Sequence, residues 1–187
     1  MNISELSKEF FCLIDERIGP FDRPFRFRPF PFDAGGALNF LTIGSGQSEL
    51  FFTYVSWDLF GHEKQKHGKI GRYELLATCN DEKWCLDILT NIGHLTLQEI
   101  FDPDDTLDIG PWVGVDAPIQ GVIFEDAFST QLKNERCGLL RCIGVTRPEL
   151  EFAMKHDVPS LVECLKRAEI YPRTIVNRNS SAELSLP

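Results

Sequence analysis

The stretch "IGVTRPELEFAMKHDVPSLVECLKRAEI", residues 143–170, has the pattern of two short helices joined by a tight turn. Thr146 and Glu149 have the spacing of a capping box, and Pro148 stands in the first turn, where its missing N–H leaves no hydrogen bond unmade. Asp157 can cap the second helix through its side chain. The sequence therefore predicts a helix pair directly after an apolar strand.

This helix pair carries its cations in the wrong place for reading DNA. A recognition helix needs basic and amide side chains on its exposed N-terminal face. The second helix instead begins "PSLVE" at Pro159, and Lys166 and Arg167 come late, where they complement the helix dipole. The apolar residues recur at helical spacing, which is typical of a buried stripe: Leu150, Ala153, Met154, Leu161, Val162, Leu165 and Ala168. We therefore interpret the pair as a unit that closes the core.

The remaining chain mixes strand and helix patterns without strict alternation. Helical spacing covers 4–18 and 82–93. Runs rich in β-branched, aromatic or apolar residues predict strands at 39–44, 50–57, 72–79, 120–126, 137–144 and 173–178. The apolar run at 137–144 favours a central position in the sheet, whereas 95–118 looks irregular. We predict the α+β class, a single domain with a mixed, mostly antiparallel central sheet flanked by helices.

A length of 187 residues suits one domain with a full core. We expect residues 1–35 to form an N-terminal helix and a proline- and phenylalanine-rich arm packed on the domain, 36–178 to form the domain, and 179–187 to be a flexible tail. No window is apolar over the roughly 18 residues of a membrane span. The first residues lack the apolar core of a secretory signal, so a cytoplasmic location is expected.

The negative charge is concentrated in one segment. The whole chain has a formal net charge of -9, yet residues 74–126 contain twelve acids and a single base, Lys83. Such a field repels nucleic acid and attracts basic protein surfaces, although it also serves simply to keep a protein soluble. We take five residues of this segment as candidate protein-binding residues: Asp102, Asp104, Asp105, Asp108 and Trp112.

Two stretches that resemble metal-binding motifs have the wrong spacing of ligand residues. In "HEKQKH", His62 and His67 are five residues apart, not the four that place both on one face of a zinc-binding helix. An EF-hand loop starting at Asp102 would need a glycine at its sixth position and a glutamate at its twelfth, where Leu107 and Val113 stand. We expect no cofactor and no metal, and no enzymatic motif rises above background.

Two alternatives to protein binding stay open. An enzyme could use a thiol or imidazole if Cys79, Cys85 and His94 met in space. None of the six cysteines forms a CxxC pair, and all six are expected to be free and buried. A nucleic-acid binder could instead stack bases on the arm in which phenylalanine and arginine alternate over residues 25–28. The acidic balance of the chain disfavours this second alternative.

The run "GLLRCIGVTRPELEFAMKHDVPSLVECLKRAEIYPRTIVNR", residues 138–178, resembles the end of the suppressor-of-fused domain. The resemblance lies in a "GVT-x-x-EL" helix start at 144–150, a leucine pair at Leu161 and Leu165, and a closing "T-x-x-x-R" from Thr174 to Arg178. Upstream, "TYVSWDLFG" and "YELLAT" resemble the aromatic and "EL" strands of that family.

The resemblance implies an α/β domain that binds proteins without a cofactor and without catalytic residues. In animals the family protein restrains Gli transcription factors by gripping a peptide between two domains. Single-domain bacterial relatives are linked to toxin systems as immunity proteins. An acidic segment suits the neutralisation of a basic toxin. We therefore expect a non-enzymatic protein-binding module, with a basic toxin domain as its candidate partner.

Overall fold

The computed structural model describes residues 3–22, 32, 35–43, 50–178 and 181–184. Five helices lie in these ranges: α1 (Ile3–Arg17), α2 (Glu82–Thr96), α3 (Gly110–Val113), α4 (Arg147–Lys155) and α5 (Val158–Arg167). Seven strands lie there as well: β1 (Phe21–Asp22), β2 (Phe40–Ile43), β3 (Phe52–Ser56), β4 (Arg72–Cys79), β5 (Thr106–Asp108), β6 (Gly121–Leu132) and β7 (Glu135–Val145).

All seven strands join in one sheet with the order β1-β2-β3-β4-β7-β6-β5. Only the β4–β7 pair is parallel, and the other five pairs are antiparallel. Strand β7 lies inside the sheet, between β4 and β6, which confirms its predicted central position. The predicted fold class, α+β with a mixed and mostly antiparallel sheet, is confirmed.

The helices cover both faces of the sheet. Successive side chains of a strand point to opposite faces, so the residues of β7 show which helix packs on which face. Leu140 and Cys142 of β7 point into a cluster with α2. Ile143 and Val145 pack with α4 and α5 on the opposite face. Leu139 shares that opposite face but packs with α1. The domain is therefore a three-layer structure, with α2 on one face and α1, α4 and α5 on the other.

The helix pair of residues 147–167 forms as its capping signals predict. The Glu149 carboxylate accepts from the Thr146 N–H at 2.8 Å, completing the capping box. The Asp157 carboxylate accepts from the Ser160 N–H at 2.6 Å. The prediction that the stripe is buried is wrong for two of its residues. Met154 is 69% exposed, next to buried Ala153 on α4, and Ala168 is exposed because it is the C-cap residue, beyond the part of α5 that packs in the core.

Two element predictions are also corrected. Residues 95–118 are not wholly irregular, since α2 runs on to Thr96 and the segment contains β5 and α3. Residues 173–178 are not a strand: Thr174 makes a single bridge to Cys79, and the backbone then turns. Strand β5 has only three residues, too few to show a period, and it depends on its pairing with β6. At 173–178 the β-branched residues predict a strand, but the segment makes only one bridge to the sheet within the described residues.

The six cysteines are free, as predicted, but Cys12 is exposed on α1 and the other five are buried. None of the helices within the described ranges is both long and apolar enough to cross a membrane. The phenylalanine–arginine alternation at 25–28 lies outside the described residues. The proposed domain boundaries at 35 and 178 stay a prediction.

Candidate protein-binding site

The acidic loop, residues 102–105, is fixed to strand β6 by main-chain hydrogen bonds. The Asp104 N–H donates to the Phe124 carbonyl at 2.9 Å, and the Phe124 N–H donates to the Asp105 carbonyl at 3.0 Å. Within the loop, the Asp102 N–H donates to the Asp105 carboxylate at 2.8 Å. The backbone that carries these three aspartates is therefore held in one conformation by the sheet.

The three carboxylates of the acidic loop differ in their surroundings. Asp104 and Asp105 are exposed, and the Asp104 carboxylate makes no hydrogen bond within the described ranges of the chain. Asp102 is half-buried and accepts from the Lys69 N–H. A side chain at Gly68 would meet the Asp102 carboxylate at 2.2 Å, so this close approach requires glycine. Asp104 and Asp105 are thus presented to solvent, while Asp102 also holds the loop in place.

Asp108 stands apart from the acidic loop because its charge is already matched. Its carboxylate accepts two hydrogen bonds from the Arg147 guanidinium, at 2.7 and 2.9 Å. These bonds lower the pKa of Asp108, and the Gly110 N–H adds to the effect. Arg147 also donates to Gln120 at 2.9 Å. The first residue of α4, within the "GVTRPEL" motif, therefore clamps the end of β5, and Asp108 contributes little free charge to a partner.

Trp112 lies on the short helix α3 and is 38% exposed. The helix is anchored from below, because the Trp112 N–H donates to the carbonyl of Ile109 at 2.8 Å and Ile109 is fully buried. Val115, just after the helix, is 85% exposed. The partly exposed indole of Trp112 is thus carried by a helix whose first turn is fixed to the core.

Trp112 forms one wall of a groove of about 580 Å³ between α3 and the outer side of α2. We call it the tryptophan groove. Its lining comprises Ala37, Asp81, Lys83, Trp84, Asp87, Ile88, Thr90, Asn91, Trp112, Val113 and Ala117. Of these lining residues, only Trp112 is among the five candidate binding residues predicted from the sequence. The signal that it missed is the recurrence of Trp84, Asp87, Ile88 and Asn91 at helical spacing beside the buried stripe of α2.

The acids at this end of the molecule also have a structural explanation. Strand β5 is an edge of the sheet, and Asp104, Asp105 and Asp108 flank or belong to it. Charged residues at an edge strand discourage pairing with another chain. Protection of the edge and attraction of a basic partner are compatible, because both need exposed carboxylates at this position.

Glu74 was counted among the acids of segment 74–126, but it is fully buried in β4. Its carboxylate accepts from the N–H groups of Leu59 and Phe60, at 3.0 and 2.7 Å, and is bonded to the Ser56 hydroxyl. Burial raises the pKa of Glu74 to about 8, against the opposing effect of these bonds. It therefore adds no charge to the surface near neutral pH, and it serves to fix the turn after β3.

The residues of the enzyme alternative do not form a site. Cys79 and Cys85 are fully buried, and burial raises the pKa of the Cys85 thiol, with neighbouring Cys79 adding to the effect. His94 lies nine residues after Cys85 on α2, about 13 Å along the helix axis. Its Nε2 atom bonds to the Gly36 carbonyl at 3.0 Å, and its ring stacks on Phe32. The three groups cannot share one reacting centre.

The histidines of "HEKQKH" lie in a loop, as their flanking glycines predict. His62 Nδ1 accepts from the Lys64 N–H at 3.2 Å, and its ring is edge-on to Phe32. The His67 side chain has its pKa lowered by partial burial and by the charge of Arg72. Among the described residues, no three His, Cys, Asp or Glu side chains are grouped so that they could hold a metal ion.

Comparison with known proteins identifies the family. The family model described as "Suppressor of fused protein (SUFU)" matches residues 37–179. The chain belongs to the suppressor of fused family. A search of the curated proteins found no match. The match spans both sets of motifs on which the resemblance rests, the aromatic strand and its "EL" partner upstream and the "GVTRPEL" helix start downstream.

Solved structures of suppressor-of-fused proteins share the fold. The protein in a Sufu–Fu complex matches with a TM-score of 0.73 at 12% identity, covering 96% of this chain and 91% of that one. A homolog from Neisseria gonorrhoeae matches with a TM-score of 0.64 at 15% identity, covering 97% and 100%. Drosophila Suppressor of Fused matches with a TM-score of 0.70 at 12% identity, covering 94% of this chain but only 50% of its own length.

Proposed function

We propose that this suppressor-of-fused domain is a non-enzymatic protein-binding module that uses the acidic loop and Trp112 to hold a basic protein. The observation that carries the proposal is the exposure of Asp104 and Asp105 on a loop whose backbone is bonded to β6. Carboxylates on a fixed backbone attract a basic surface without an ordering cost. The related Sufu protein was solved in a complex with Fu, so one family member binds a protein partner.

We further propose that the partner is a basic toxin domain and that the chain acts as its immunity protein in the cytoplasm. The acidic field of segment 74–126 would accelerate encounter with a basic toxin. Rapid capture is what an immunity protein needs when a toxin is present at low concentration. The six free cysteines, five of them buried, fit a reducing compartment. Buried thiols with a raised pKa, such as Cys85, are poor nucleophiles, which favours binding over catalysis.

The test neutralises the acidic loop without removing its hydrogen-bond acceptors. In the triple variant Asp102→Asn, Asp104→Asn, Asp105→Asn, each side chain keeps a carbonyl oxygen, so the bonds from Lys69 and within the loop can persist. Asparagine also tolerates the positive φ of 73° at position 104. With a partner purified from the source cells, we expect association to slow by about tenfold at low salt, while dissociation changes less.

A matched control removes the same charge elsewhere. The substitutions Glu16→Gln, Glu151→Gln and Glu183→Gln change three exposed acids outside segment 74–126. Association rates measured at 50 and 300 mM salt should match the wild type in the control, and the salt dependence should weaken only in the triple asparagine variant. Equal rates in both variants would exclude the acidic loop as the binding surface. Survival of cells that express the toxin with each variant tests the immunity role.

A further inference from the structure

The tryptophan groove has a volume of about 580 Å³ beside Trp112, and the electrostatic attraction proposed above does not account for its shape. Trp84, Ile88 and Asn91 follow one line along α2, which gives a length of about 10 Å for seven residues of helix. The volume of about 580 Å³ lies within the range of pockets that hold small ligands or a few side chains. An extended segment of about three residues would fill it.

The groove combines apolar side chains with acidic ones. Two indoles, Trp84 and Trp112, stand with Ile88 and Val113 along its walls. Tryptophan is enriched among residues that dominate binding energy, because it supplies a large apolar area with few rotatable bonds. Trp112 needs no rearrangement to be used, since α3 is anchored on buried Ile109. Such a cleft favours an aromatic or bulky aliphatic side chain.

The acidic side chains determine what should accompany that apolar side chain. Asp81 and Asp87 line the groove, and exposed Asp116 precedes the lining residue Ala117. Among the described lining residues the only base is Lys83, whose side chain is 90% exposed and whose Nζ lies 3.3 Å from the Asp87 carboxylate. An ion pair so exposed is worth little and can be displaced by a cation of a partner. The faces of the indoles add a cation–π attraction.

We propose that the tryptophan groove receives a segment of the basic partner in which one bulky apolar side chain is flanked by lysine or arginine. This inference rests on the proposed binding of a basic protein and adds where and through which chemistry that protein is anchored. The acidic loop then attracts the partner over a distance, whereas the groove holds it. The two surfaces should therefore affect different rate constants, association for the loop and dissociation for the groove.

Defined peptides test the groove without a known partner. Tryptophan fluorescence and calorimetry would follow titration with acetyl-RFRFR-amide, and with acetyl-RSRSR-amide and acetyl-EFEFE-amide as comparisons. We expect saturable binding of the first peptide and binding weaker by about tenfold or more for the other two. Equal binding of the serine peptide would overturn the apolar anchor, and equal binding of the glutamate peptide would overturn the requirement for cations. Absence of binding by the first peptide would overturn the inference.

Substitutions locate the peptide. Trp112→Ala should weaken binding of the RFRFR peptide by about tenfold, and Trp112→Phe should restore most of it. Trp57→Phe is the matched control, because Trp57 stacks on Phe11, 3.9 Å between ring centroids, outside the groove. Because more than half of Trp112 is buried, binding to both Trp112 variants is compared at a temperature at which circular dichroism shows them folded. Unchanged affinity in Trp112→Ala would overturn the inference.

The acidic loop separates this inference from the proposed function. The triple asparagine variant should bind the RFRFR peptide within a few-fold of the wild type, because the loop does not line the groove. If the protein partner associates normally with that variant, the proposed function fails whatever the peptide does. If the peptide fails to bind while the partner still depends on the acidic loop, only the groove inference fails.

Discussion

Two buried glutamates respond to their surroundings in opposite ways. Burial is the largest influence on both Glu74 and Glu149, and it raises the pKa of each. At Glu149 the hydrogen bonds and charge of Arg178, with N–H groups of Ala182 and Thr146, outweigh burial and lower the pKa. Glu74 has hydrogen bonds but no cation against it, and its pKa stays near 8. A counter-ion, more than hydrogen bonding alone, decides whether a buried carboxyl is charged.

Glu74→Gln should flatten part of the dependence of stability on pH. The unfolded chain loses this proton near pH 4.5, whereas the folded chain keeps it until about pH 8. The stability that Glu74 contributes is present in full below pH 4.5 and is lost as the pH rises to about 8. Glutamine keeps an acceptor for the N–H groups of Leu59 and Phe60.

Urea denaturation of the wild type and of Glu74→Gln at pH 5, 6.5 and 8 checks this prediction. The wild type should lose up to about 1.4 kcal/mol per pH unit through Glu74 relative to the variant. Glu99→Gln is a useful control, because it changes an exposed carboxyl that is not among the groups shifting the pKa of Glu74. Parallel pH profiles for wild type and Glu74→Gln would contradict the pKa near 8.

At the scale of elements, helix α4 is held to the C-terminal segment by the motif that identifies the family. Arg178 donates to both carboxylate oxygens of Glu149, and both side chains are at least nine-tenths buried. The Thr174 hydroxyl accepts from the Gly144 N–H at 2.7 Å. The "T-x-x-x-R" residues thus fasten an irregular segment across the end of the sheet. Their role is structural, and the exposed candidate binding residues lie elsewhere.

Arg178→Met should unfold the domain at markedly lower urea concentration. Removal of one partner leaves the Glu149 carboxylate buried without its counter-ion, which typically costs about 3–5 kcal/mol. Arg173→Met is the matched control in the same segment, because Arg173 is partly exposed, donates to the Glu169 carbonyl, lies over the Phe51 ring and has no ion pair with a buried carboxylate among the described residues. We expect a loss below about 1 kcal/mol there. Similar losses in the two variants would show that the buried pair has no special weight.

At the scale of the whole molecule, the negative charge is concentrated in segment 74–126, and the rest of the chain is nearly neutral. The net charge of -9 arises from segment 74–126, which contributes α2, the acidic loop, β5, α3 and part of β6. Repulsion among these acids opposes folding in proportion to how close the fold brings them. The ion pair of Arg147 with Asp108 relieves part of it.

Moderate salt should therefore stabilise the domain. We expect the thermal midpoint to rise between 10 and 200 mM sodium chloride, because salt screens repulsion among the exposed acids. The triple asparagine variant of the acidic loop should have a smaller rise, whereas the matched Glu16, Glu151 and Glu183 glutamine variant should respond like the wild type. Differential scanning calorimetry measures both. Equal salt responses in all three proteins would contradict repulsion centred on the loop.

Local sequence was sufficient for the elements that carry their own signals. The capping box at Thr146, the cap at Asp157 and the long strand pattern of 72–79 all formed as predicted. The extent of β6 was underestimated, because residues 127–132 include polar side chains and form a strand through pairing with β7 across the turn at Lys133 and Asn134, both at positive φ. Strand β7 begins at Glu135, two residues before its predicted start, through the same pairing. The edge strand β5 was missed for the same reason, since it exists through its pairing with β6.

The amino-acid sequence by itself determined the family, the α+β class and the concentration of acids in one segment, because these depend on residue identity and short-range spacing. Only the tertiary structure decided which acids are available to a partner. It buried Glu74, paired Asp108 with Arg147, exposed Asp104 and Asp105, and brought Trp84 and Trp112 into the lining of one groove. The physical reason is that solvation and charge neutralisation depend on neighbours brought together across the sheet, which no local pattern encodes.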